Sequence, residues 1–127
     1  MEVMPPATLK NMRANGSLQF FRASWVADYP DAENYLSLFT TGNFSPDGPN
    51  YSHYTNPRFD RLYEKSMACT DDEERAAYYA EMDSLMMFDA PVVVLFYDEV
   101  LRFVNKRVEG LGSNPTNLLD LRKVKIK

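Results

Sequence analysis

The spacing of apolar residues predicts two long helices in the middle of the chain. One begins at Asn56-Pro57, because Asn is a favoured N-cap residue and Pro is favoured in the first helical turn. The other begins in the segment Thr70–Glu73, where Thr and Glu three residues apart match a capping box, and it extends to about Phe88. The side chains expected to face the core recur every three or four residues: Phe59, Leu62, Tyr63, Ser66 and Met67 in the first helix, and Tyr78, Tyr79, Met82, Leu85 and Met86 in the second.

Two shorter helices are predicted closer to the start of the sequence. A pair of Pro residues precedes the stretch Ala7–Asn15 and Gly16 follows it, and Pro at the start with Gly after the end is typical of a helix. A second helix is expected from Ala32 to about Thr41, with Asp31 as its N-cap. Its apolar face would contain Tyr35, Leu36, Leu38 and Phe39.

Segments rich in aliphatic and aromatic residues predict the strands. The stretch Val92–Tyr97 is continuously apolar, which is typical of a strand buried on both faces. The other predicted strands are Leu18–Ser24, Val100–Asn105 and Leu118–Ile126, with Asp98-Glu99 as a turn between two of them. This order of elements predicts an α/β fold with a mixed α+β arrangement, formed by a single domain over residues 1–127.

Composition and charge exclude several kinds of function. The chain has 127 residues and a net charge of −4, whereas a nucleic-acid-binding protein needs a basic surface, so no nucleic acid partner is expected. One Cys and one His exclude an internal disulfide, a Cys-based zinc site and a multi-histidine metal site. We therefore expect neither a metal nor a cofactor.

Asp28 is the carboxylate with the strongest indication of a ligand-binding role. It lies between Trp25 and Tyr29, whose rings would exclude water. A carboxylate in such surroundings needs a cationic partner or hydrogen bonds. That partner is either a residue of this chain, such as Arg22, or an ammonium or guanidinium group of a ligand. Asp31, in contrast, is best explained as a helix cap.

Several blocks of sequence follow patterns of a known family. Trp25–Leu36 is similar to the pattern Trp-x-Ala-Asp-Tyr-Pro-Asp-Pro, and Tyr54–Asp60 is similar to Tyr-x-Asn-Pro-x-Phe-Asp. Thr70–Arg75 is similar to Asp-x-x-x-Arg, and Asp89–Phe96 is similar to Asp-x-Pro-x-Ile-Pro-Leu. Val108–Gly110 is similar to Val-x-Gly. In this order they resemble the bacterial extracellular solute-binding proteins of the oligopeptide/dipeptide-binding family. The chain departs from the pattern at Ala32, where the family often has Pro.

The resemblance implies a fold, a ligand and its binding residues. Family members have two lobes that close on a ligand, so the chain would be the C-terminal portion of a two-lobed periplasmic-binding-protein-like fold. In peptide-binding members, the Asp that corresponds to Asp28 pairs with the α-amino group of the peptide. The main chain of Trp25, Val26 and Ala27 would pair with the peptide as an added strand. Trp25 would also form a wall of a side-chain pocket, and Tyr29 would flank the carboxylate.

The expected function is therefore peptide binding and delivery to the permease subunits of an ABC importer, without catalysis. The full-length protein would be periplasmic or attached to the cell surface. Two alternatives stay open: the same fold with another cargo, such as a nickel chelate, a sugar or a signalling peptide, and a small hydrolase that uses Asp28 and His53. Because family members are several times longer, the chain alone is also expected to expose apolar surface and to self-associate.

Overall fold

A computed structural model describes residues 3–97, 99, 101–114 and 118–127. Most of its regular structure is helical. The elements, in chain order, are helices α1 (Pro6–Ala14), α2 (Glu33–Leu36), α3 (Pro57–Ala68) and α4 (Asp72–Asp89), and strands β1 (Val108–Glu109) and β2 (Lys125–Ile126). Two single 3-10 turns, Ser37–Phe39 and Thr41–Asn43, follow α2.

Helix α1 confirms the prediction made from its flanking residues. It begins at Pro6 and ends at Ala14. Gly16 then adopts a φ of +65°. This left-handed conformation is readily accessible to Gly, because Gly has no Cβ. The backbone N–H of Ser17 donates to the carbonyl of Met12 at 2.9 Å, which satisfies a free carbonyl at the helix end.

Helices α3 and α4 pack against each other and, with α2, enclose the core. Five apolar side chains are buried there: Leu36, Phe59, Leu62, Met82 and Met86. The rings of Phe39 and Tyr54 meet Phe59 edge to face, at centroid distances of 6.5 and 5.8 Å. The predicted inward faces are largely confirmed, although Met67 and Tyr35 were assigned to them wrongly, since their side chains are 59% and 48% exposed.

The caps of α3 and α4 follow local sequence rules. The Asn56 side chain accepts hydrogen bonds from the backbone N–H groups of Arg58 and Phe59, as predicted. At α4 the predicted capping box is wrong. Asp71 is the N-cap instead, and its Oδ1 accepts from the N–H of Glu74 at 2.8 Å. Asp is as good a cap as Thr, so sequence alone did not separate the two neighbours.

The helix expected from Ala32 to about Thr41 is shorter than predicted. After α2, the hydroxyl groups of Ser37 and Thr40 donate to the backbone carbonyls three residues before them. These hydroxyls compete with helical hydrogen bonding. Thr40 itself is extended, with ψ of 143°, so the backbone leaves the helix there.

The predicted strands are mostly wrong. Residues 18–24 and 92–97 form no strand, and the side chains from Val93 to Tyr97 are at least half exposed. Residues 101–105 are also irregular, whereas Asp98 and Val100 lie outside the described residues. Of the last predicted strand only β2 forms, antiparallel to β1, with Val108 opposite Ile126. A strand needs a hydrogen-bonded neighbour, and the described part of the chain provides none for the longer apolar segments.

Within the described ranges, none of the helices has the length and apolar character needed to cross a bilayer.

Candidate functional site

The predicted binding residues lie on an irregular segment between α1 and α2. Val26 and Asp28 are exposed, Ala27 is half-buried, and Trp25 and Tyr29 are 38% and 47% exposed. The main chain of residues 18–27 makes no hydrogen bond to any other described residue. The backbone donors and acceptors of Trp25–Ala27 are therefore free to pair with another extended chain.

The side chain of Asn34 in α2 contacts two residues of this segment, Trp25 and Asp28. Its Oδ1 accepts from the Trp25 indole N–H at 2.9 Å and from the backbone N–H of Asp28 at 3.2 Å. Asn34 is 5% exposed, so both hydrogen bonds are largely shielded from water. The structure thus brings Trp25 and Asp28 together on one buried acceptor.

The Asp28 carboxylate has no hydrogen-bond or ion-pair partner among the described residues. Arg22, the partner considered from the sequence, instead lies with its guanidinium 5.8 Å from the centre of the Phe96 ring. The carboxylate is therefore exposed and available to a cation from outside the chain.

Glu33 is a buried carboxylate beside this segment. The hydroxyl groups of Tyr29 and Tyr63 donate to its two oxygens, one to each. Hydrogen bonding to Glu33 raises the pKa of Tyr29, with the Asn34 amide opposing this shift. Burial, followed by the same carboxylate, raises the pKa of Tyr63 strongly. Both tyrosines therefore stay protonated and keep Glu33 hydrogen-bonded at neutral pH.

Asp31 anchors the same loop to α4. Its Oδ1 accepts from the backbone N–H of Glu33 at 2.9 Å, so Asp31 satisfies a free donor at the start of α2. The N-cap position itself is Ala32, one residue later than predicted. Its Oδ2 lies 3.4 Å from Nη1 of Arg75. The pKa of Asp31 is lowered, first by the Glu33 N–H and then, against the effect of partial burial, by Tyr79 and Arg75. Burial and Asp31 together raise the pKa of Tyr79 to about 12.

Comparison with known proteins gives relatives that are named as binding proteins, several of them for peptides and one for deoxycholate. The chain is 31% identical over 120 residues to the periplasmic oligopeptide-binding protein OppA of Haemophilus influenzae, which covers 94% of the chain and 21% of that protein. It is 29% identical over 109 residues to OppA of Salmonella typhimurium (85% and 19%) and 25% identical over 104 residues to the dipeptide-binding protein DppE of Bacillus subtilis (82% and 18%). The chain belongs to the oligopeptide/dipeptide-binding family of bacterial solute-binding proteins.

Comparison with a solved structure shows the fold of this chain. The structure of HbpA2 from Haemophilus parasuis aligns with 95% of the chain and 24% of its own length, with a TM-score of 0.73 and 24% sequence identity. The predicted fold class, a mixed α/β portion of a periplasmic-binding-protein-like fold, is confirmed, although its strands are fewer than expected. No family model matches the chain.

The chain spans about one fifth of the length of the relatives it matches. It therefore corresponds to a part of those solute-binding proteins. The related proteins are binding proteins, not enzymes.

The residues that contact the predicted binding segment were largely missed in the sequence. Asn34 lies in the block Trp25–Leu36 that carries the family resemblance, but the resemblance implied no role for it. Tyr63 was expected only as a core residue, and Arg75 only as part of a matching block. Their contacts join residues 30 and 44 positions apart, which local periodicity does not reveal.

The other candidate, His53, lies in a different environment. Its Nε2 is 3.0 Å from Oγ and 3.1 Å from the carbonyl oxygen of Ser45, and the Ser45 hydroxyl is also 2.8 Å from the Ala14 carbonyl. These contacts connect the loop to the end of α1. In the part of the chain that the structure describes, no group of three or more His, Cys, Asp or Glu residues could hold a metal ion.

Proposed function

We propose that the segment Trp25–Tyr29 binds the N-terminal end of a peptide within a solute-binding protein of an ABC importer. The observation that carries this proposal is the exposed carboxylate of Asp28, which lacks a cationic partner among the described residues. A carboxylate accepts a charge-assisted hydrogen bond from a peptide α-ammonium group, and such bonds are about twice as strong as neutral ones.

The free main chain beside Asp28 supports the same ligand. Residues 25–27 offer unpaired N–H and C=O groups next to the carboxylate, and an extended peptide has matching groups at the spacing of a strand. Main-chain pairing gives affinity without dependence on ligand side chains, while Asp28 fixes the register at the first residue. Oligopeptides or dipeptides with a free amino terminus are therefore the proposed cargo.

The remaining steps are those of the whole protein. We infer that two lobes close on the peptide and that the closed protein delivers it to permease subunits from the periplasm or the cell surface. The names of the OppA relatives, which describe periplasmic oligopeptide-binding proteins, support this location and cargo. The single domain over residues 1–127 would contribute one side of the cleft, with no cofactor and no nucleic acid partner.

The test compares peptides with free and N-acetylated amino termini, by calorimetry on the intact solute-binding protein that contains this chain. Asp28→Ala should lower the affinity for the free-amino peptide by about tenfold or more and leave the acetylated peptide nearly unchanged. Asp47→Ala is the matched control, since Asp47 is also an exposed loop carboxylate but lies outside the segment. An equal loss for both peptides would refute the ammonium-binding role. Tight binding of a cargo without an amino group would favour the alternative that the fold binds another class of solute.

A further inference from the structure

The buried side chain of Asn34 contacts two residues of the proposed binding segment. Its Oδ1 accepts from the Trp25 indole N–H and from the backbone N–H of Asp28. The backbone of residues 18–27 makes no hydrogen bond to the described chain. Asn34 therefore attaches Trp25 and Asp28 to α2, beside the hydrogen bond that joins Tyr29 to Glu33.

The geometry points to Asn34 as a positioning residue that sets the angle between the Trp25 ring and the Asp28 carboxylate, and thereby the place where a peptide ammonium binds. This inference rests on the proposed function, because it names the residue that shapes the same site. The backbone of a residue fixes the direction in which its side chain leaves the chain. A hydrogen bond to the backbone N–H of Asp28 therefore constrains the direction of the Asp28 carboxylate. Without that anchor, binding would have to order the segment, and the entropy lost would weaken affinity.

The charge of the neighbouring side chains suits this role. Asn34 is neutral, so it can orient two donors without competing with Asp28 for a cation. Glu33, next to it, has each oxygen occupied by a tyrosine hydroxyl, and Asp31 is paired with Arg75. Asp28 is thus the carboxylate of this loop that is left for a ligand.

A first measurement tests the contact itself. In the intact protein, the indole N–H signal of Trp25 in a nitrogen-correlated NMR spectrum is the one that disappears in Trp25→Phe. Asn34→Leu should remove the hydrogen-exchange protection of that signal, because Leu has a similar volume and no acceptor. Asn50→Leu is the matched control, since Asn50 is fully buried but donates to Thr40 and Tyr54 and not to the segment. Retained indole protection in a folded Asn34→Leu variant would overturn the inference.

A second measurement tests the consequence for binding in the intact protein. The affinity ratio between free-amino and N-acetylated peptides should fall by about three- to tenfold in Asn34→Leu and stay constant in Asn50→Leu. An unchanged ratio in Asn34→Leu, with a lowered ratio in Asp28→Ala, would refute the positioning role and leave the proposed function intact. An unchanged ratio in Asp28→Ala would refute the proposed function itself.

A milder variant covers the case in which Asn34→Leu does not fold. Trp25→Phe keeps an aromatic ring and removes only the donor to Asn34. It should lower the same affinity ratio, because the ring and the carboxylate are no longer held on one acceptor. A ratio equal to that of the wild type would refute the positioning role.

Discussion

Arg75 of α4 forms an ion pair with Asp31, the residue that opens the turn into α2, at 3.4 Å between Nη1 and Oδ2. The two residues are 44 positions apart, so this contact fixes the loop that carries the binding segment against the longest helix. Arg75 also lies over the ring of Tyr79, at 5.8 Å, and pairs with Asp72 at 3.3 Å. Asp31 therefore combines a hydrogen bond to the first turn of α2 with a tertiary ion pair.

The lowered pKa of Asp31 predicts a specific dependence of stability on pH. A carboxyl whose pKa is lower in the folded state contributes stability above its unfolded value of 3.8, and this contribution is lost as the pH falls through the folded value. Asp31→Asn keeps an acceptor for the Glu33 N–H but removes the charge. We expect it to lower the free energy of unfolding at pH 7 by up to about 1 kcal/mol.

Urea unfolding of the wild type and Asp31→Asn over a pH series measures this effect. The two curves of stability against pH should converge below the folded pKa of Asp31, where the wild-type carboxyl is also neutral. Asp83→Asn is the control, because Asp83 is exposed on α4 and has no hydrogen-bond or ion-pair partner for its carboxylate among the described residues. A difference between wild type and Asp31→Asn that persists unchanged into strong acid would contradict the electrostatic explanation.

Local rules predicted the helices well, because their signals lie within a few residues. The Asn56 cap, the Pro residues at the starts of α1 and α3, and the spacing of Phe59 and Leu62 need no knowledge of the rest of the chain. There are two exceptions. The cap of α4 is Asp71 and not its neighbour Thr70, which has nearly the same capping preference. Helix α2 ends at Leu36, well before Thr41, because the hydroxyls of Ser37 and Thr40 compete for backbone carbonyls.

The strands and the supporting contacts could not be predicted in the same way. The stretch Val92–Tyr97 has the composition of a buried strand, but burial and pairing depend on a neighbour that no periodicity identifies. The contacts of Asn34 could not be predicted either, because they reach back to Trp25 and Asp28 across an irregular turn that has no periodic pattern. The family pattern pointed to the proposed binding segment, whereas only the structure showed that Asn34 contacts it.

The core around Phe59 should determine whether the helical part of the chain folds. Phe59 is fully buried between α3 and α4 and contacts the rings of Phe39 and Tyr54. Phe59→Ala should therefore cost about 3–5 kcal/mol. Phe88→Ala removes the same ring from a site that is 88% exposed, so its cost should stay within about 0.5 kcal/mol. Chemical denaturation followed by far-UV circular dichroism measures both, and similar losses for the two variants would show that the core is placed wrongly.

The exposed apolar segment from Val93 to Tyr97 should make the isolated chain self-associate. Val93 and Leu95 are 68% and 69% exposed, and the backbone of residues 92–97 makes no hydrogen bond to the rest of the described chain. An unpaired apolar segment of this kind pairs with a second copy by strand addition, and Lys on such an edge prevents it. Light scattering coupled to size exclusion should show oligomers whose mass rises with concentration.

The double variant Val93→Lys/Leu95→Lys should shift these oligomers to monomers. Val3→Lys/Met67→Lys adds the same charge at sites that are 87% and 59% exposed but lie outside the segment, so it should leave the oligomers in place. Equal dissociation by both double variants would mean that added charge alone disperses the chains. A wild-type chain that stays monomeric at every concentration would show that this segment does not pair with a second copy.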